Sequence, residues 1–392
     1  MAIPLKYNLR NLIVRRVSTG MTVFVIGLVV TVFIVIMSLV EGMRRTLSKS
    51  VSDRNIIVMR VGAQSEMQSY VAPDQVETLR TLLGVERDAR GEPVVSPELV
   101  VLVNTAKRDG TKTNIQVRGV HLPVAFEIRR GLRMIRGRTI NAGTDEAIVS
   151  KSVARRFANC EVGDLLKAGS ERWRVVGVFD GRDTPFDSEI WVDFHNLEGQ
   201  IHRTPGASSV TLRASDSASR DQLIASVKGD QRVKLEGKTE KKYYAEQMVT
   251  AEPIRYLAWI VGVMMAIGAS FGAMNTMYAQ VSARTREIGT LRSLGFSRRS
   301  ILLSFLAESL MLAVVGGVLG IVLAIVLLRT ILTGPVGTNN FRTFSDILFN
   351  FRITPSLAFS GFIFSIAMGA IGGLFPAFRA ARLKIVAALR EV

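Results

Sequence analysis

The stretch REIGTLRSLGFSRRSILL, residues 286–303, stands between two long apolar runs, and its reading decides how the chain is built. Residues 284–294 can form about three turns of helix, with Ile288 and Leu291 on one side. Gly295 suits the left-handed residue that closes a helix. Ser297 suits the N-cap of a second helix that continues into the following apolar run. The pattern predicts a short basic helix, a sharp corner and a long apolar helix attached to it.

Working outward, four uncharged windows appear at 17–40, 256–283, 309–328 and 353–378. A helix needs about 20 apolar residues to cross roughly 30 Å of hydrocarbon, and each window is long enough. The mean hydropathy of +0.27 over 392 residues also exceeds that of an ordinary soluble chain. The third helix is expected to begin earlier, covering 301–328. The first window, with 24 residues and no A-x-A-like cleavage site, reads as a retained anchor rather than a signal peptide.

The net charge of +17 would fit a nucleic-acid binder, but its distribution does not. Residues 41–255 hold 34 basic and 29 acidic side chains, against 16 and 4 in the remainder. The excess flanks the apolar windows: Lys6, Arg10, Arg15 and Arg16, then Arg284, Arg286, Arg292, Arg298 and Arg299, then Arg379, Arg382, Lys384 and Arg390. Short basic flanks stay in the cytoplasm. With four crossings all three clusters fall on one side. The N-terminus, 284–300 and the tail 379–392 are therefore expected inside; 41–255 and the short outer loop 329–352 are expected outside. Residues 1–16, with Leu5, Leu9, Leu12 and Ile13 at helical spacing, read as an amphipathic helix on the inner membrane surface.

Between the first two spans, β-rich runs such as NIIVMRV (55–61), EAIVS (146–150) and EIWVDF (189–194) alternate with helical runs such as PDQVETLRTLLG (73–84). An α+β extracytoplasmic domain is expected there. Its ends, 41–50 and 246–255, are expected to extend the membrane helices as stalks, with Pro253 beginning or kinking the second. The fold class is thus four transmembrane helices with an α+β domain between helices 1 and 2. Small-xxx-small pairs recur within the spans, at Gly268 and Gly272, Gly316 and Gly320, and Gly369 and Gly373; such spacing lets helix backbones approach closely. No Asp, Lys or Arg lies mid-span, and Glu308 lies only slightly inside the third, which argues against an ion pathway.

Enzymatic signatures are missing. GKT at 237–239 lacks the first P-loop glycine, since Arg232 stands there, and reads as a solvated turn. The sequence has no H-E-x-x-H, and its three histidines lack zinc spacing; the G-x-S-x-G match GASFG at 268–272 lies inside an apolar window with no strand-to-turn pattern and is no nucleophile elbow. The single cysteine, Cys160, excludes an intrachain disulfide and reads as a small buried residue. The basic run Arg129, Arg130, Arg133, Arg136 and Arg138 reads as a solvated face, with capture of acidic ligands or lipid headgroups as the other reading.

Residues 284–320, RTREIGTLRSLGFSRRSILLSFLAESLMLAVVGGVLG, resemble the signature of the FtsX-like permease family, which includes MacB-type ABC transporter permeases. LRNLIVRR (9–16), residues 145–180 and FPAFRAARLKIVAALRE (375–391) are similar to other parts of that family. The resemblance implies that Arg286, Glu287, Ile288, Gly289, Leu291, Arg292, Leu294 and Gly295 form or close a coupling helix that docks on a cytoplasmic ABC ATPase dimer. It implies two permease copies, as a homodimer or heterodimer, and work by mechanotransmission rather than passage of substrate through the spans. With no Walker motif in this sequence, ATP and Mg are expected on a separate partner, and no cofactor or metal on this chain. Efflux with a periplasmic adaptor (a membrane fusion protein) is the expected activity. Extraction of a lipoprotein or membrane lipid is the alternative, followed by regulation of a cell-wall hydrolase. The expected location is the bacterial cytoplasmic (inner) membrane.

Overall fold

The computed structural model describes residues 14, 16–48, 52–168, 171–182, 184–201, 204–230, 232–247, 252–330, 336–339, 346–349, 351–385 and 388. They form two compact units, one of residues 1–41, 253–333 and 351–392, the other of 42–252 and 334–350. The expected amphipathic helix before residue 14 lies outside the described residues, as do 248–251 of the second expected stalk.

The first unit is built on four long helices, Arg16–Ser48, Glu252–Ser282, Arg298–Thr330 and Pro355–Arg382. All four are long and apolar enough to cross a membrane. The first runs 33 residues, about 50 Å at 1.5 Å per residue, and so continues past its apolar window through 41–48. Pro253 is the second residue of the next helix, where its missing N–H leaves no broken bond. Thr354 caps the fourth, accepting from Leu357 N at 3.1 Å, with Pro355 at the first turn.

Small residues set how closely these helices approach. A Cβ on Gly316 would lie 2.9 Å from Ile26 of the first helix, and one on Gly320 would lie 2.6 Å from the Gly27 carbonyl. Thr31 Oγ1 donates to the Gly320 carbonyl at 3.1 Å across the same seam. Between the third and fourth helices, Gly369 and Gly373 press on Ala313 and Ser309, and Ser309 Oγ donates to the Gly369 carbonyl at 2.6 Å. Gly268 and Gly272 differ: among the described residues a Cβ on either would meet no atom within 4 Å.

In the second unit a ten-stranded mixed sheet runs in the order β10-β1-β9-β2-β3-β8-β5-β7-β4, with β6 paired to β7. The strands are β1 Asn55–Arg60, β2 Val95–Ala106, β3 Lys112–Val120, β4 Arg133–Gly137, β5 Glu146–Ser150, β6 Leu165–Ala168, β7 Glu171–Asp180, β8 Glu189–Asp193, β9 Ser209–Arg213 and β10 Leu235–Thr239. The pairs β3–β8 and β5–β7 are parallel. Twelve-residue β2 joins the two halves, pairing β9 through residues 95–98 and β3 through 99–106.

Hydrophobic residues fill both faces. Ile56 and Val58 of β1 enter one core with Val149, Val192 and Leu212, while Ile57 and Met59 enter another with Ile148, Phe179 and Trp191. That two-residue alternation with both faces buried explains why the runs look continuously apolar in sequence. Two expectations are corrected. GKT at 237–239 is not a turn but the end of β10, with Gly237 opposite Val58; its strand has only Leu235 as an apolar marker, and β1 supplies the ladder. The segment 329–352, expected as a short outer loop, contains the paired strands β11 Val336–Asn339 and β12 Asp346–Phe349, which belong to the sheet-bearing unit.

Candidate functional site

The elbow begins with a short helix, Thr285–Ser293. Leu294 N–H donates to the Thr290 carbonyl, Gly295 N–H to the Arg292 carbonyl at 3.2 Å, and Phe296 N–H to the Leu291 carbonyl at 3.2 Å. The last two bonds make a Schellman closure, which requires a left-handed residue at its centre. Gly295 supplies it with φ of +93°. Two residues later Ser297 Oγ accepts from Ser300 N at 3.2 Å and starts the third long helix. Corner and cap therefore sit two residues apart, and little chain is left that could move independently.

Three anchors tie the short helix to the membrane helices. Arg284, just before it, donates to both Glu308 carboxylate oxygens at 3.0 and 3.3 Å; both side chains are buried. A buried guanidinium–carboxylate fork fixes direction as well as distance. Ile288 is buried in a cluster with Met277, Val281, Ile301, Phe305 and Ala377, and Leu291 packs on the same cluster. Arg292 Nη1 donates to the Ala381 carbonyl of the fourth helix at 3.5 Å.

The residues expected to form the coupling helix thus divide by face. Ile288 and Gly289 are buried, Leu291 and Arg292 are half-buried, and all four turn towards the helices of the same unit. Arg286, Glu287, Leu294 and Gly295 are exposed, with Thr290 and Ser293 beside them, and Leu294 is 68% exposed. Leu294 is thus the open apolar side chain of the elbow, rimmed by polar neighbours. Leu291, one of the residues expected to form the docking helix, packs on the cluster beneath it.

Among the described residues no group of three or more His, Cys, Asp or Glu is placed to hold a metal ion. Cys160 is buried, and burial pushes its thiol up to about 12, so it is inert at neutral pH.

Sequence reading missed a buried charge network in the second unit. Arg118 donates to Glu189, Glu66 and Glu98 at 2.6–2.9 Å, and Glu98 also accepts from Arg129 at 2.6 and 2.7 Å. Burial alone would raise Glu98, but Arg129 and Arg118 bring it down to about 2. Trp191 Nε1 donates to Glu189 and Ser209 Oγ to Glu66. The network cross-links β2, β3 and β8 with the turn Glu66–Gln68. Only strand pairing brings its members together, so no local motif announced it. Arg129, read in sequence as part of a solvated basic face, is buried within it. Arg130, Arg133, Arg136 and Arg138 remain exposed, each with an acidic partner.

Residues 19–229 match the MacB-like periplasmic core domain, and residues 259–385 match the FtsX-like permease C-terminal domain. The chain belongs to the FtsX-like, MacB-type ABC transporter permeases. It is a bacterial inner-membrane protein whose α+β periplasmic-type domain lies between its first and second membrane helices. The permease is 24% identical over 419 aligned residues to a macrolide export ATP-binding/permease protein MacB of Bdellovibrio bacteriovorus, covering 98% of this chain and 61% of the relative. It is 23% identical to the MacB of Escherichia coli over 395 residues, covering 95% and 58%. The permease sequence therefore spans about three fifths of the length of these relatives. The solved extracellular domain of the Gram-positive ABC-type transporter YknZ aligns with 47% of the permease and 99% of that domain, at 16% identity and a TM-score of 0.36. The periplasmic region of MacB from Actinobacillus actinomycetemcomitans aligns with 52% and 95%, at 12% identity and a TM-score of 0.38.

Proposed function

We propose that this permease works by mechanotransmission. An ABC ATPase dimer, separate from this chain and carrying ATP and Mg, docks on the exposed face of the elbow at Arg286, Glu287, Leu294 and Gly295. Closure of that dimer moves the elbow, and the anchored helices relay the motion to the periplasmic-type domain. The observation that carries this reading is the fixed corner: the Arg284–Glu308 fork, buried Ile288 and the Schellman closure leave the short helix no independent hinge. The scarcity of charge inside the spans also supports a mechanical rather than a conducting role. Two permease copies complete the unit, with N- and C-termini and elbow in the cytoplasm. The cargo step is export driven through a periplasmic adaptor, as the macrolide-export relatives suggest; lipoprotein or lipid extraction would use the same mechanics with a different periplasmic partner.

The decisive experiment replaces Leu294 with Asp in the full chain and measures co-purification of the ATPase. The expected result is loss of association, with membrane insertion and melting temperature unchanged. Undiminished co-purification overturns docking at this face. Sidedness has its own test: a cysteine at exposed position 293, as Ser293→Cys, should escape an impermeant maleimide added to intact cells and react once the membrane is opened.

A further inference from the structure

Within the sheet-bearing unit a cleft of about 440 Å³ is lined on one side by Arg129, Arg130, Arg182, Arg213 and Thr184. Among the described residues four arginines line it and no acidic residue does. Behind Arg130 and Arg213 the counter-charge is short. Glu86 alone serves Arg54, Arg130 and Arg213, at 3.2, 2.6 and 2.9 Å. Arg129 shares Glu98 with Arg118, which Glu66 and Glu189 also balance. Arg182 makes no ion pair among the described residues; Asp183, next in the chain, lies outside them. Two buried polar atoms of the lining have no hydrogen-bond partner among the described residues: Nε of Arg129 and Oγ1 of Thr184, residues that are 6% and 4% exposed. Leaving a buried donor unpaired is costly, so such atoms mark where a ligand or water completes the structure.

The remaining wall is apolar. Phe186, Ile128 and Leu132 form it, and the Arg129 guanidinium lies 4.3 Å from the Phe186 ring centroid. Stacking holds the guanidinium plane in place. A cleft with fixed guanidinium groups on one side and apolar carbon on the other suits an anion that carries an apolar body. Several convergent guanidinium groups match the geometry and charge of a phosphate monoester.

We propose that this cleft binds the phosphate group of an amphiphile, with Arg129, Arg130, Arg182 and Thr184 around the phosphate and Phe186, Ile128 and Leu132 against the apolar portion. This goes beyond the transport mechanism above and does not depend on elbow docking. The test uses the full chain in phosphatidylcholine nanodiscs, titrated with dihexanoylphosphatidic acid, dihexanoylphosphatidylcholine or inorganic phosphate. Trp191, 5.5 Å from the Arg129 guanidinium, reports occupancy by fluorescence. Phosphatidic acid is expected to saturate the signal and phosphatidylcholine to leave it flat. The double variant Arg130→Gln with Arg182→Gln should bind at least about tenfold more weakly, the equivalent of one lost charge-assisted hydrogen bond. Both side chains are outside the buried Arg118 network, so the variant's melting temperature should match the parent's. Equal affinity for inorganic phosphate and phosphatidic acid would assign the site to free phosphate; tighter phosphatidic acid would assign it to a lipid. A phosphatidic acid response no larger than that of phosphatidylcholine, together with no response to inorganic phosphate, overturns the proposal, as does a double variant that binds as tightly as the parent.

Discussion

At the elbow, Leu291 and Leu294 stand three positions apart and do opposite work. Leu291 packs on the cluster beneath the short helix, and Leu294 is open. Sequence periodicity grouped Leu291 with Ile288 correctly but could not say whether that face met a partner or the chain's own helices. Gly295 and Ser297 were legible because closure and capping are local, decided by hydrogen bonds within six residues. The Arg284–Glu308 pair was not, because two helices must first be placed side by side. Glu308→Gln should leave Arg284 buried without its counter-charge. Breaking buried pairs in soluble proteins costs about 3–5 kcal/mol. A clear fall in melting temperature in detergent is therefore expected for Glu308→Gln, with recovery when Arg284→Met and Glu308→Met are combined. A single variant as stable as the parent would show that the pair does not hold the elbow.

Among the helices, three glycine pairs with one sequence spacing have two structural fates. Gly316 with Gly320, and Gly369 with Gly373, lie where neighbouring helices press closest; Gly268 and Gly272 face open space. The motif states only that a backbone can be approached, and the arrangement of helices decides whether this chain approaches it. Gly320→Val should drive a side chain into Val30 and the Gly27 carbonyl and lower the melting temperature markedly. Gly268→Val should leave the melting temperature of the isolated permease unchanged. Equal destabilisation by both would contradict this helix arrangement. Among the strands, NIIVMRV, EAIVS and EIWVDF announced themselves because β1, β5 and β8 are buried on both faces. β10 did not, since its Leu-Glu-Gly-Lys-Thr sequence is a strand only by pairing with β1.

For the whole molecule, the periplasmic-type domain places carboxylates of opposite habit in one interior. Burial raises Glu240 to about 7, although Arg129 and a hydrogen bond from Asn55 pull it back; Glu98 is held near 2. For Glu240 the folded state binds more protons than the unfolded state between about 4.5 and 7, so its contribution falls as pH rises through that window. Glu98 works in reverse, stabilising above the ordinary carboxylate range and losing that contribution as pH falls towards 2. Glu240→Gln should therefore flatten the pH dependence of melting between pH 4.5 and 7 and gain up to roughly 3 kcal/mol relative to the parent above pH 7. A parent whose melting temperature does not fall across that window would overturn the assignment.

Four membrane crossings, an α+β domain after the first, and a glycine-closed corner followed by a capped helix follow from the amino-acid order alone. Each rests on interactions within one turn, one strand or one apolar run, where neighbours in sequence are neighbours in space. The tertiary structure decided which leucine of the elbow is open, which glycines meet a helix, that GKT is a strand, and that Arg118 and Arg129 gather three glutamates. Those outcomes depend on groups tens to hundreds of residues apart, and a side chain's partner across such a gap is fixed by packing rather than by its own neighbourhood.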